Sequence, residues 1–133
     1  MNSFHLTIRG ATKSERFENV SSFIGEDASG SFGIQANHAR IMTSLVFGLA
    51  RFRHNDQPWQ YLAMPGALLY FVDNELIINT RRYFLDTNYQ RISIALQEQL
   101  LAEEQSIKSM KDSLHHMEEE VLKRMWELGR SEP

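Results

Sequence analysis

Apolar and polar residues alternate along the first two thirds of the chain. Near its start, Phe4, Leu6 and Ile8 alternate with polar residues, which is the period-two pattern of a strand with one buried face. The pattern returns in short segments up to about residue 85, and no segment in this part has the spacing of a long helix. Short strands with regular turn signals predict an antiparallel β-sandwich over residues 1–86.

Turn-forming residues separate the predicted strands. Residues 54–58 are rich in turn formers, Pro65-Gly66 interrupts the pattern again, and Asp73-Asn74 separates two apolar runs. Asp and Asn tolerate the positive φ angles of a tight hairpin. We therefore expect a tight hairpin at Asp73-Asn74.

The pattern changes after Asp86. Thr87 and Gln90 have the spacing of a capping box, in which two side chains satisfy free backbone N–H groups at a helix start. Neither Gly nor Pro occurs from there to Leu128, and Gly129 stands where a C-cap is expected. The apolar residues within these bounds form a helical stripe: Leu96, Leu100, Ile107, Met110, Leu114, Met117, Val121, Met125 and Leu128.

These observations predict a helical domain over residues 87–133. A helix of about 40 residues is about 60 Å long, which is more than a sandwich of this size can cover. Two alternatives remain open: an α-helical hairpin that reverses within Glu103–Ser106, the least apolar stretch, or a single long helix.

Composition narrows the classes of function. The 133 residues include no Cys, which excludes disulfides and thiolate sites. The net charge is −3, distributed as +1 over residues 1–85 and −4 over residues 86–133, and this balance argues against a nucleic-acid partner. No apolar run reaches the roughly 20 residues of a membrane-spanning helix, and the start lacks the features of a signal peptide. We expect no membrane insertion and a place on the cytosolic side of a cell.

One segment has a more specific pattern. The segment from Ser31 to Leu45, followed by Gly48, resembles the signature of the epsilon subunit of F-type ATP synthases: a short Gly-Ile element, a Pro-Gly-His-Ala turn and a Pro-Leu-Leu-Thr-like strand start. The following residues match the family pattern in register: Gly33, Ile34, His38, Ala39, Thr43 and Gly48. The order of strands followed by helix also matches the family.

The chain departs from the family at a few positions. Ala36-Asn37 stands where the family usually has Pro-Gly, and Asn is the residue after Gly best able to adopt the left-handed conformation of that turn. Arg40 replaces a usual Pro, and Pro65 replaces the first of two glycines. The departures are typical of a divergent branch such as the N-type ATPase. We assign structural turns to Gly33, Asn37, Gly48 and Gly66.

The resemblance implies a non-catalytic subunit of the central stalk, which links the gamma subunit to the ring of c subunits at the cytoplasmic face of the bacterial inner membrane. It places the ring-facing surface at Ser31, Phe32, His38 and Arg40, and the gamma-facing surface at Ile41, Met42 and Thr43. It also implies that the C-terminal helices contact the alpha/beta catalytic head transiently and regulate ATP hydrolysis. Whether protons or sodium ions are moved stays open.

Catalytic chemistry finds no support in the sequence. His38 has no Ser or Asp partner in a nucleophile motif, and His115-His116 with Glu118–Glu120 lacks the spacing of a metal site. There is no P-loop, and Asp86 and Arg91 do not have the Asp-x-x-Arg-Ala spacing of nucleotide-binding family members. We predict no catalytic residue, metal or cofactor. The rival interpretation is a free-standing adaptor with a sandwich for one partner and a coiled coil for self-association.

Overall fold

The computed structural model describes residues 2–131, and side chains as far as Gly129. Nine strands come first, and helical structure follows from Tyr89. The strands are β1 (Phe4–Arg9), β2 (Ser14–Asp27), β3 (Gly30–Ile34), β4 (Ile41–Leu45), β5 (Gly48–His54), β6 (Gln60–Met64), β7 (Ala67–Val72), β8 (Glu75–Thr80) and β9 (Phe84–Asp86).

The strands form two layers that share β2. Their order is β1-β8-β7-β4-β2-β5-β6-β9, with β3 attached to β2 and a further pairing of β1 with β2. The β1–β8 pair is parallel and the other pairs are antiparallel. Because β2 is 14 residues long and changes register twice, its first part joins the layer of β1, β8, β7 and β4, and its second part joins β3, β5, β6 and β9. The predicted β-sandwich is confirmed.

One core fills the space between the layers. The period-two pattern of β1 is confirmed, since Phe4, Leu6 and Ile8 are all buried. Aromatic rings occupy much of this core, and the Phe4 and Phe71 rings meet edge to face at 5.5 Å. Its other large side chains come from both layers: Phe23, Ile34, Phe52, Leu62, Met64, Leu69, Leu76, Ile78 and Tyr83.

The predicted turns are mostly confirmed. Asp73 and Asn74 have φ angles of 52° and 58°, which is the left-handed pair of a type I′ hairpin between β7 and β8. Gly66, between β6 and β7, has a φ of 147° that a residue with a Cβ rarely adopts. Gly48 begins β5 with a positive φ as well. The assignment of a turn to Gly33 is wrong, because this residue lies within β3 and pairs with Ile24.

Helical structure runs from Tyr89 to Ser131 without a turn. It comprises α1 (Tyr89–Ala95), a π-helical segment (Leu96–Leu101) and α2 (Ala102–Ser131). The single-helix alternative is therefore confirmed. The hairpin alternative is wrong, because Glu103–Ser106 lie inside α2 and no breaker interrupts them. Gly129 does not end the helix, which continues past it.

The helix start lies one residue later than predicted. Asn88 is the N-cap, and its side-chain oxygen accepts a hydrogen bond from the backbone N–H of Arg91 at 3.0 Å. Thr87 does not cap, because Asp86 still belongs to β9 and accepts a hydrogen bond from the Asn88 N–H at 2.9 Å. The capping box of Thr87 and Gln90 is therefore wrong.

Removing this cap is expected to destabilise the chain. We expect Asn88→Ala to lower the free energy of unfolding by about 1 kcal/mol, because the Arg91 N–H loses its acceptor. Thr87→Ala is the matched control and is expected to have little effect. Urea denaturation of both variants checks this assignment, and a larger effect at Thr87 would restore the capping box.

The chain divides into two compact units, residues 1–101 and the segment from Ala102 onward. The first unit therefore includes α1 and the π-helical segment, which pack on the outer face of β6 and β9. There Ile92 and Leu100 form a second buried cluster with Ala63. In α2 the apolar stripe is exposed, with Met117 and Met125 at 60% and 63%. None of the helices among residues 2–131 has the length and apolar character needed to cross a bilayer.

Candidate functional site: interaction surfaces of the sandwich

The loop of residues 35–40, called here the signature loop, connects β3 to β4. Asn37 has a φ of 67°, so the predicted left-handed turn is confirmed. The backbone N–H of Asn37 donates to the side-chain oxygen of Asn74 at 2.6 Å, and the Asn74 amide donates to the Asn37 side-chain oxygen at 3.1 Å. The loop is thus held against the β7–β8 hairpin.

His38 and Arg40 are both exposed on this loop. The His38 ring stands edge-on to Phe71 with centroids 6.0 Å apart, and its Nδ1 lies 2.6 Å from the Ala39 carbonyl oxygen. The two side chains border a polar depression of about 330 Å³ together with Val72 and the β7–β8 turn. This arrangement can form a polar contact with a partner but contains no nucleophile.

Ser31 and Phe32 lie elsewhere. Ser31 is exposed on β3 opposite Glu26, and the next residue of β2, Asp27, pairs with Leu45 at the end of β4. The signature loop adjoins the other end of β4, about 13 Å away at 3.3 Å per residue. Phe32 is half-buried and packs against the main core, because its side chain points to the opposite face from Ser31. The structure therefore does not bring the four predicted ring-facing residues together.

The three predicted gamma-facing residues also separate, because they alternate along β4. Met42 points outward and is 69% exposed. Ile41 points inward and packs against the core. Thr43 also points inward, and its hydroxyl donates to an Asp27 carboxylate oxygen at 2.8 Å.

Asp27 fixes the β2–β3 hairpin to β4. Its carboxylate accepts hydrogen bonds from the Ser29 hydroxyl, the Thr43 hydroxyl and the Ser29 backbone N–H. These bonds, first of all the one from the Ser29 hydroxyl, hold the pKa of Asp27 below its ordinary range. They favour the charged form of the carboxylate.

This pKa predicts how stability depends on pH. Because the folded pKa is lowered, the contribution of Asp27 is present above the unfolded pKa of about 4 and is lost as the pH falls through the folded pKa. We expect Asp27→Asn to be less stable than the parent chain at pH 6 and to approach it at pH 3. Thermal unfolding at both pH values measures this, and an equal deficit at both would exclude the charge as the cause.

The outer face of β4, β7, β8 and β1 carries an apolar surface, called here the uncovered face. Met42 pairs with Tyr70, Tyr70 with Ile77 and Ile77 with Thr7, so these side chains form one row across four strands. Leu68 is 44% exposed beside this row, and Val72 is half-exposed. Within residues 2–101, α1 and the π-helical segment pack on the other layer. Contiguous exposed apolar patches of this kind mark interaction sites.

Sequence reasoning missed most of the uncovered face. Of its residues, the sequence predicts only Met42 at an interface, and Leu68, Tyr70 and Ile77 lie within the two apolar runs around Asp73-Asn74. The available signal is the unbroken apolar run Ala67–Val72 of β7, because an antiparallel strand with one wet face normally alternates.

A second groove of about 290 Å³ lies on the outer face of the other layer. It is lined by apolar and aromatic side chains including Ile24, Tyr61 and Tyr89, with Arg51 at its side. The Arg51 and Arg53 guanidinium groups lie over the Trp59 ring, 4.8 Å and 5.8 Å from its centroid. Ser31, one of the predicted ring-facing residues, also lines this groove.

Asp86 and Arg91 bind each other. The Arg91 Nε donates to one Asp86 oxygen and Nη2 to the other, both at 2.9 Å. The bonds from Arg91 lower the pKa of Asp86, and Asp86 in turn raises the pKa of Arg91. Both side chains are thus engaged with each other at the start of α1.

The histidines of α2 form pairs along the helix. His115 Nε2 lies 3.0 Å from a Glu119 oxygen, and His116 Nε2 lies 3.4 Å from a Glu120 oxygen, all on exposed side chains. Among the residues that the structure describes, no group of three or more acidic, His or Cys side chains is arranged to hold a metal ion.

Comparison with known proteins identifies relatives of the sandwich. The family model described as ATP synthase, Delta/Epsilon chain, beta-sandwich domain matches residues 3–85. ATP synthase epsilon chain 2 of Cereibacter sphaeroides is 30% identical over 90 residues, which are 67% of this chain and 62% of that one. The chloroplastic ATP synthase epsilon chain of Marchantia polymorpha is 34% identical over 64 residues, 47% of each chain. The chain thus matches about half to three fifths of the length of these relatives.

Solved structures show the same fold. A chain in the Euglena gracilis mitochondrial ATP synthase assembly of OSCP, F1 and c-ring superposes with a TM-score of 0.60 at 16% identity, over 74% of this chain and 64% of that one. A chain of the central stalk and c-ring of the Tetrahymena thermophila mitochondrial ATP synthase gives 0.55 at 20% identity, over 84% and 90%. At these identities the likeness concerns the fold alone.

Proposed function

Because the chain belongs to the delta/epsilon family of ATP synthase chains, whose β-sandwich domain it carries at residues 3–85, we propose that it is a non-catalytic central-stalk subunit of a rotary ATP synthase. In this role the sandwich links the gamma subunit to the c-ring, and torque passes through packed surfaces without chemistry in this chain. The observation that carries the proposal is the uncovered face, on which Met42 and Leu68 are exposed beside the half-exposed Tyr70, Val72 and Ile77.

The gamma contact is proposed for the uncovered face. Met42 lies at its edge, and the signature loop with His38 and Arg40 adjoins it through Val72, which lines the depression beside both residues. An apolar centre with a polar rim is the usual anatomy of a stable interface. The sequence-based expectation places His38 and Arg40 on the ring-facing surface. The proposal instead places them at the rim of the gamma contact.

The ring contact is proposed for the β2–β3 hairpin that carries Ser31. This hairpin lies at the opposite end of β4 from the signature loop. Asp27 stiffens it through three hydrogen bonds, which suits a contact that transmits torque.

The helix α2 is proposed as a regulatory arm that contacts the alpha/beta head. Its stripe carries three methionines, Met110, Met117 and Met125, each at least 60% exposed. Methionine side chains adapt to more than one packing surface. A transient contact with the catalytic head needs such a surface.

The test is ATP hydrolysis by the assembled enzyme. We expect truncation after Leu101 to preserve assembly and to raise hydrolysis severalfold, because the sandwich is kept and the arm is lost.

Met117→Glu, which interrupts the stripe but keeps the helix, is also expected to raise hydrolysis. Ser109→Glu is the matched control, because no residue of the stripe lies three or four positions from the exposed Ser109, and it is expected to leave hydrolysis unchanged. Unchanged hydrolysis in the truncated enzyme would contradict the regulatory role of α2. Failed assembly would contradict the proposal that the sandwich alone supports assembly.

The proposal places the chain peripherally at the cytoplasmic face of a bacterial inner membrane. Support comes from its family and from the similarity to the second epsilon chain of Cereibacter sphaeroides, which also favours a divergent, N-type enzyme. The rival function, a self-associating adaptor, draws its support from the exposed stripe of α2.

A further inference from the structure

Two exposed pairs of asparagines occur in the structure. In each pair, the two side chains come from separate segments of the chain and are hydrogen-bonded to each other. One pair joins Asn37 of the signature loop to Asn74 of the β7–β8 turn. The other joins Asn19 of β2 to Asn55 of the β5–β6 turn, with the Asn19 amide donating to the Asn55 oxygen at 3.0 Å. All four residues have positive φ angles. Only the first pair holds a loop that carries proposed contact residues.

Covalent geometry does not fix the signature loop in this chain. Its turn is Ala36-Asn37, so no Pro ring restricts φ before the left-handed residue, and no Gly relieves that residue of its Cβ. Within the loop, one backbone hydrogen bond connects the His38 N–H to the Gln35 carbonyl at 3.2 Å. The tie to Asn74 therefore supplies a large part of the order of this loop.

Asn74 is itself well anchored. It belongs to the type I′ turn between β7 and β8, and its carbonyl oxygen accepts the His5 N–H of β1 at 3.0 Å. Its side chain uses both its oxygen and its nitrogen on Asn37. The Asn74 side chain thus connects the sheet to the loop, alongside the His38–Phe71 ring contact and the packing of Ala36 against the core.

We propose that Asn74 is a positioning residue, which holds His38 and Arg40 in the conformation that the gamma subunit meets at the rim of the uncovered face. The binding part of this inference rests on the proposed function. The loop-ordering part does not, because it concerns the isolated chain. Exposed hydrogen bonds contribute little to global stability, so the effect is expected in the loop and not in the unfolding of the sandwich.

The test compares Asn74→Gly with Asn55→Gly in the full chain. Gly accepts the left-handed φ of either turn, so both variants keep the hairpin. Asn74→Gly loses the amide pair with Asn37, and Asn55→Gly loses the pair with Asn19 and a contact with the His54 ring nitrogen. We expect Asn74→Gly to raise amide hydrogen exchange at Asn37 and His38 about tenfold, the effect of losing two hydrogen bonds. Asn55→Gly is expected to leave these amides unchanged, and both variants are expected to unfold at similar temperatures. Asn37→Gly, which keeps the backbone N–H donor, should raise the exchange about threefold.

Binding to the isolated gamma subunit is the second readout. An exposed loop opens at low cost. A tenfold rise in its open fraction, from roughly 7% to roughly 70%, leaves the binding conformation in the minority and lowers the apparent affinity about threefold. Unchanged exchange at Asn37 and His38 would overturn the inference, and so would faster exchange with unaltered affinity. If the parent chain does not bind gamma at all, the proposed function and the binding part fail together, while the exchange data still decide the ordering of the loop.

Discussion

Truncation after Asp86 is expected to lower the free energy of unfolding of the sandwich by roughly 3–6 kcal/mol, because two fully buried side chains are removed. These are Ile92 of α1 and Leu100 of the π-helical segment, which are 1% and 0% exposed and cover Ala63. The loss also uncovers Phe84 and Tyr61, which pack against the same cluster. Guanidinium denaturation of the truncated chain measures the effect.

Truncation after Leu101 is the matched control. It keeps the second buried cluster and removes only the unit that begins at Ala102. We expect its free energy of unfolding to equal that of the whole chain within about 0.5 kcal/mol. Equal stability of both truncated chains would show that α1 and the π-helical segment are not part of the sandwich unit.

Met42→Glu is expected to weaken binding to the gamma subunit about a hundredfold. The change places a carboxylate at the edge of the uncovered face, where a partner would bury it without a counter-ion. An uncompensated buried charge costs about 3 kcal/mol, which corresponds to that factor. The isolated chain should fold normally, because Met42 is 69% exposed.

Ile94→Glu provides the matched control for this substitution. Ile94 is 54% exposed and lies on α1, which packs on β6 and β9 and not on the uncovered face. We expect its affinity for gamma to match that of the parent chain. If both substitutions weaken binding equally, or neither does, the gamma contact does not lie on the uncovered face.

Sequence reasoning recovered the sandwich because its signals are local. The alternation of β1 and the left-handed preference of Asp73-Asn74 each act within a few residues. The left-handed turn of the signature loop was also predictable, since Asn at position 37 favours that conformation, whereas its tie to Asn74 was not. Fold class and turn positions followed from these.

Features that depend on long-range packing were not predictable in this way. Ser31 and His38 are near in sequence, but β3 and the loop carry them to opposite ends of β4. The π-helical segment left no trace, because Leu96 and Leu100 have the spacing of an ordinary helical stripe. The predicted N-cap, Thr87, is one residue before the observed N-cap, Asn88. Both residue types are good caps, and the pairing of β9 with β6 through Asp86 decides between them.

Calorimetric titration of the full chain with the isolated gamma subunit tests the central claim most directly. The stalk function predicts a one-to-one complex with the negative heat-capacity change of apolar burial, and a loss of affinity in Met42→Glu. Absence of a complex, together with a stable dimer of this chain in light scattering, would contradict the stalk function and favour the self-associating adaptor.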